Sequence, residues 1–341
     1  LKKRNELAEP GRRRFLSGLL FAAAGAVIHL PAFGAMAEAV SEQAGPPWSA
    51  PIDSTRTISA GGASLQLDFT GGTPDLGLAS LVQWIEHAAR AVTVYYGRFP
   101  VAHERILVVI GDGRRGVWGG TTWGDVGGSG MARLPAFTRI HVGRHVTQPE
   151  LDDDWMMTHE MVHTAFPSQA DEHHWIEEGL AVYVEPIARV QAGFLRPEKI
   201  WADMMRDMPK GDPESFDRGL DQTHTWGRTY WGGAQFCLLA DVSIQKQTQN
   251  RKGLQDALRG IMAAGGTIDK EWPLDKALTV GDQATGTHVL TDLYDQMGNA
   301  AKPVDLGGLW KQLGIEPDGS GVSFNPAAPL AATREAITRR R

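Results

Sequence analysis

A chain of 341 residues with 42% hydrophobic content can bury a large core, and its length suits one large or two modest domains. Its only cysteine, Cys237, excludes an internal disulfide framework and any cysteine-held zinc cluster, so a metal would need histidine and carboxylate ligands. The formal charge is −6, but residues 1–37 carry a net +4, which leaves −10 for residues 38–341; so acidic a body argues against nucleic acid or anionic lipid as a partner.

In chain order, the first feature is a run of basic residues, Arg12 to Arg14, followed by an Ala/Gly-rich apolar stretch from Phe15 to about Leu30 and then small residues. This order is that of an export signal, and the pair Arg12-Arg13 followed by Phe15-Leu16 has the twin-arginine form. The apolar stretch is shorter than the ~20 residues that span a bilayer, so residues 1–37 are expected to be a signal and not a lasting membrane anchor. That implies a periplasmic or secreted protein. Residues 38–52, rich in Pro, Gly and Ser, read as a linker.

An N-terminal α/β lobe is expected over 53–148. Ser64–Phe69 alternates like a strand, Leu78–Phe99 repeats its apolar residues at helical spacing, and Arg105–Ile110 and Phe137–Val142 read as buried strands. The Gly- and Trp-rich stretch Gly111–Gly130 between them reads as a hairpin with mobile connections. From Leu151 the pattern turns helical, with helices expected near 151–166, 172–190, 196–207, 226–248, 252–264 and 287–297. A helical lobe over 149–265 and a C-terminal helical region with a tail over 266–341 complete an α+β organisation.

The stretch "T-H-E-M-V-H", Thr158–His163, carries the chemistry. Residues four apart share a helix face, so His159 and His163 can turn ring nitrogens toward one ion, while Glu160 sits about 100° round and can serve as a base instead of a ligand. Asp152, Asp153 and Asp154 supply an N-cap and favourable charge at the helix start. Downstream, "W-I-E-E-G-L-A-V-Y-V-E" from Trp175 to Glu185 places Glu178 and Glu185 two helical turns apart on nearly one face. Glu178 is the expected third ligand. Glu185 is expected to accept a hydrogen bond from a ligand histidine and fix its ring. The opposing reading, a solvated acidic stripe of Glu177, Glu178 and Glu185, leaves the two histidines unexplained.

Together these segments resemble the gluzincin metallopeptidases, the thermolysin-like clan that includes the aminopeptidase N and glycyl aminopeptidase families, and most closely its compact peptidase MA-like group. The resemblance covers roughly residues 137–245. It implies a thermolysin-like catalytic core, one Zn2+ held by His159, His163 and Glu178, and Glu160 as general base. It selects Glu178 over Glu177 because the family's ligand immediately precedes the glycine, here Gly179. The segment "T-Y-W-G-G-A-Q-F" from Thr229 is similar to a Y-x-x-G segment whose tyrosine stabilises the oxyanion, which assigns that role to Tyr230; packing of Tyr230 in the core, or His224 as proton donor, are the rival readings.

The implied activity is metal-assisted hydrolysis of a peptide or protein substrate, with a peptidase-like envelope binding or assembly protein of little or no turnover as the alternative. Aminopeptidase relatives hold the substrate amine with a strand glutamate; the nearest match, "G-S-G-M-A-R" at Gly128–Arg133, has Ala132 there and a cationic Arg133 beside it. Internal cleavage is therefore expected to exceed release of N-terminal residues.

Overall fold

A computed structural model describes residues 49–128 and 131–340. The expected signal and most of the expected linker lie outside the described residues. The N-terminal part is built on a five-stranded sheet of order β1-β2-β3-β5-β4. Strand β1 (Ser54–Ala60) forms an antiparallel hairpin with β2 (Ala63–Thr70), helix α1 (Leu78–Tyr96) crosses over, and β3 (His103–Gly111) returns parallel to β2. Strand β5 (Met131–Gly143) lies parallel to β3, and β4 (Val117–Gly128) closes the sheet as an antiparallel edge.

Two elements depart from the sequence expectation here. Strand β1 is short of apolar residues and largely exposed, which is why its pattern carries no signal. Most of the presumed hairpin Gly111–Gly130 is instead one 12-residue strand, β4, ordered by its ladder with β5, with Gly120 opposite Ile140 and Thr122 opposite Thr138. Glycine lowers intrinsic strand preference, and the neighbouring strand overrides it.

The chain then runs through α2 (Gln148–Asp153), α3 (Met156–His163), a 3-10 turn (Asp171–His173) and α4 (His174–Gln191). The single helix expected near 151–166 is cut at Asp154, whose backbone is extended. Its carboxylate accepts the backbone N–H groups of Met156 and Met157 and the indole N–H of Trp84 on α1, so it starts α3 and ties it to the sheet's crossover helix. Next come α5 (Pro197–Asp207), a π-helical turn (Gly227–Gly232) continuing into α6 (Gly233–Gln247), and α7 (Leu254–Ala263).

Beyond residue 266 the chain forms α8 (Leu274–Thr285), α9 (Val289–Met297), α10 (Leu306–Leu313), the hairpin β6 (Ile315–Asp318) and β7 (Gly321–Phe324), and α11 (Ala331–Thr338). Trp310, Leu313, Ile315 and Ile337 from this stretch join the same buried apolar cluster as Leu65, Ile106, Trp175 and Phe236. Two glycines explain how α4 and α6 meet: a Cβ on Gly179 would lie 2.3 Å from the Gly233 backbone, and one on Gly233 would lie 2.2 Å from the Trp175 carbonyl. The contact closes only without side chains at both positions. Among the described residues no helix is long and apolar enough to cross a membrane.

Candidate metal centre

Helices α3 and α4 face each other and bring His159, His163 and Glu178 together, with one potential ligand atom from each within 4.8 Å of the others. His159 Nε2 is 3.1 Å and His163 Nε2 is 3.8 Å from the same oxygen, Glu178 Oε2. Two imidazoles and one carboxylate, converging on one point in a buried place, form the donor set that zinc takes with three protein ligands and an open position. Without a cation, such a grouping must share protons. Burial opposes charge on Glu178, yet the surrounding histidines outweigh it and hold the carboxyl well below its ordinary range. Burial drives His163 down to about 3, so its imidazole is neutral and available as a ligand.

Glu160 is placed differently. It is buried, next to His159 in sequence, and no part of the ligand cluster. Burial pushes its carboxyl up to about 7, opposed by His159 and by the hydroxyl of Thr122, which lies 2.8 Å from Oε2. A base poised near neutrality suits proton transfer. The backbone of β4 makes room for it: a Cβ on Gly120 would sit 2.6 Å from Glu160 Oε1.

Tyr230 stands on the π-helical turn before α6, a type of distortion frequent at functional sites. Its ring stacks on His159 at 6.4 Å and on Trp226 at 5.8 Å, so it borders the cluster and is only partly buried. His224, the rival proton donor, is exposed on the loop ahead of that turn.

The structure corrects two expectations. Glu185 makes no hydrogen bond to a ligand histidine. Its carboxylate instead takes Arg189 Nη1 at 2.9 Å, because Arg189 lies one turn on along the same helix face. Among the described residues, His159 Nδ1 is left as a buried atom without a hydrogen-bond partner. The second correction concerns Arg133. Gly128 and Met131 pair at the far end of the β4–β5 ladder, six residues and about 20 Å along β4 from Thr122. Arg133 is exposed and paired with Asp125, so it supplies no charge beside Glu160. The part of the edge strand that borders the site is Gly120–Thr122, which carries no carboxylate.

Several site residues escaped the sequence reading. Thr121, Thr122, His174 and Ile268 line the pocket with Glu160 and His163. His174, at the start of α4, has Nε2 3.3 Å from Glu178 Oε1 and Nδ1 3.4 Å from Glu177 Oε2. Glu177 lines the same pocket but stays outside the ligand cluster, its other oxygen accepting the backbone N–H of Gln169. Ile268 arrives from the connection after α7, pinned where its carbonyl accepts Ser168 Oγ and its N–H meets the carbonyl of Thr164. The adjacency of His174 to the Trp175 motif was the one signal available for any of them.

No protein-family model and no curated protein sequence matches this chain. Solved structures do. An aminopeptidase N family protein from Idiomarina loihiensis superposes with a TM-score of 0.55 at 14% identity, over 77% of this chain and 49% of that one. An M1 zinc metallopeptidase from Deinococcus radiodurans gives a TM-score of 0.44 at 13% identity, over 74% and 52% of the two chains. The mixed α/β architecture is thus that of the aminopeptidase N family protein, and at this identity the likeness is one of fold. The chain spans about half the length of these structures.

Proposed function

We propose that this chain is a zinc-dependent peptidase that uses Glu160 as general base. The carrying observation is the convergence of His159 Nε2, His163 Nε2 and Glu178 Oε2, with the Glu160 carboxylate beside them and outside the ligand set. The fold shared with the aminopeptidase N family protein is consistent with this reading. When bound, zinc would supply Lewis acidity and make water nucleophilic near neutral pH.

The chain's own residues do the rest. Glu160, oriented by Thr122 and given room by Gly120, takes a proton from the attacking water and returns it to the leaving amine. Tyr230, steadied between His159 and Trp226, donates its phenol hydrogen to the oxygen on which charge develops. The outer edge of β4 offers unpaired backbone to an extended peptide, which can add to the sheet as a further strand. The Arg12-Arg13 signal would deliver the protein to the periplasm or beyond, a reading that rests on sequence alone.

The test is Glu160→Gln. It keeps the side-chain shape and removes the proton acceptor, so zinc content should stay at the parent level while hydrolysis of a peptide mixture falls about 10³-fold. A variant that hydrolyses peptides at the parent rate would overturn the assignment.

A further inference from the structure

One buried carboxyl stands apart from the ligand cluster and joins it only through hydroxyls. Glu104, at the start of β3, is 2% exposed, and its Oε1 lies 2.6 Å from Thr138 Oγ1 on β5. Thr138 Oγ1 lies 2.9 Å from Thr122 Oγ1, its direct cross-strand partner on β4. Thr122 Oγ1 in turn lies 2.8 Å from Glu160 Oε2. The contacts form an unbroken chain across three strands, from a carboxyl deep in the sheet to the carboxyl beside the metal ligands.

Counting hydrogens along this chain decides its protonation. Thr122 Oγ1 also lies 3.1 Å from the backbone carbonyl oxygen of Glu160, which can only accept, so the single Thr122 hydrogen is turned toward Glu160. The hydrogen between the two threonines must then come from Thr138, which leaves it none for Glu104. With Glu104 ionised, its 2.6 Å contact with Thr138 would press two oxygen lone pairs together in a buried place, which is costly. The missing hydrogen therefore belongs on Glu104.

A second observation places the hydrogen at the same end. Among the described residues, Glu104 Oε2 is buried with no hydrogen-bond partner. A bare oxygen is far cheaper on a neutral carboxylic acid than on a carboxylate. Burial raises the Glu104 carboxyl to about 7, against the Thr138 contact and with the charge of Glu160 adding to the rise.

We propose that Glu104 is a neutral carboxylic acid that donates to Thr138, so that Thr138 donates to Thr122 and Thr122 donates toward Glu160. Glu104 is then a positioning residue. It fixes the direction of every hydroxyl in the chain, and that direction holds the Glu160 side chain in place. Its importance for turnover rests on the peptidase reading above; its protonation does not.

Two measurements test this. The first is the infrared difference spectrum of the metal-loaded parent against Glu104→Gln at mildly acidic pH. A carboxylic acid C=O band present in the parent and lost in the variant is expected, and its absence overturns the proposal. The second is kinetic. Glu104→Gln retains an N–H donor toward Thr138 and should keep kcat within about threefold of the parent. Glu104→Leu and Thr138→Val, which break the chain, should each lower kcat about tenfold with KM and zinc content at parent levels. Equal losses in Glu104→Gln and Glu104→Leu, or a Thr138→Val enzyme at the parent kcat, would also overturn it. A parent that shows the infrared band but hydrolyses no peptide would sink the peptidase reading and leave the hydrogen chain standing.

Discussion

Gly120→Ala probes the fit between the edge strand and the base with a single added methyl group. Gly120 has an ordinary strand backbone, so alanine is sterically acceptable to the main chain, and only the Cβ matters. That Cβ would lie 2.6 Å from Glu160 Oε1, 2.7 Å from Cγ and 2.9 Å from Cδ. Non-bonded heavy atoms settle near 3.5 Å, so the carboxylate must retreat by roughly 0.9 Å. The retreat also pulls Oε2 away from Thr122, now 2.8 Å distant. A displacement of about 1 Å at a reacting group costs about a hundredfold in rate, or about 2.7 kcal/mol of barrier. The prediction is therefore a kcat about a hundredfold lower, with zinc content at the parent level, measured on quenched fluorescent peptides and by metal analysis. Gly119→Ala is the control, because its Cβ would meet only His141 Cδ2 at an ordinary 3.7 Å, and it should stay within about twofold of the parent. A Gly120→Ala enzyme at full rate, or equal damage from both substitutions, would refute the geometric argument.

The purified chain should carry one zinc per molecule; His159→Ala and Glu178→Ala should strip it, whereas Glu177→Ala should retain it, because Glu177 is engaged with Gln169 and His174. Equal zinc loss from Glu177→Ala would refute the ligand set. His173 is held above its ordinary value chiefly by its hydrogen bond to Asp221, so this contact adds stability that is full below about pH 6.5 and is lost as pH rises through the folded value. His173→Gln should accordingly lower the melting temperature at acidic pH and converge with the parent at alkaline pH; a constant difference across the range would contradict the linkage. N-acetylation of a peptide should change its cleavage rate by no more than about threefold, since Gly120–Thr122 offers no carboxylate to desolvate an ammonium against. A loss of about tenfold or more on acetylation would show that the free amine is recognised.

What could be read from the sequence was whatever a single helix places on one face. His159 and His163 are four apart, and Glu178 and Glu185 are seven apart, so their shared faces follow from helical geometry alone. The same geometry misled at Glu185. Its apparent aim at a ligand histidine ignored Arg189, four residues further on and on the same face, which the spacing rule equally allows. The run from Asp152 to Asp154 was read as the start of one long helix, yet Asp154 ends one helix and begins another, a distinction made by its contact with Trp84 seventy residues earlier.

The residues that could not be read share a different property: each acquires its role from strand register. Gly120, Thr122, Thr138 and Glu104 lie on three strands, and no periodicity in "W-G-G-T-T-W-G-D" or "H-E-R-I-L" announces that they will meet. Register is settled by the apolar faces of β3 and β5, where Ile106, Val108, Ile140 and Val142 enter the core. Once those are buried, Thr138 must oppose Thr122, and Thr122 must face α3. A one-residue slip of β4 would turn Thr122 away and bring Thr121 or Trp123 against Glu160. The ligand triad is thus encoded locally in two helices. The environment that makes Glu160 a base is encoded in the pairing of a sheet, and the packing of that sheet's core is what holds the base in place.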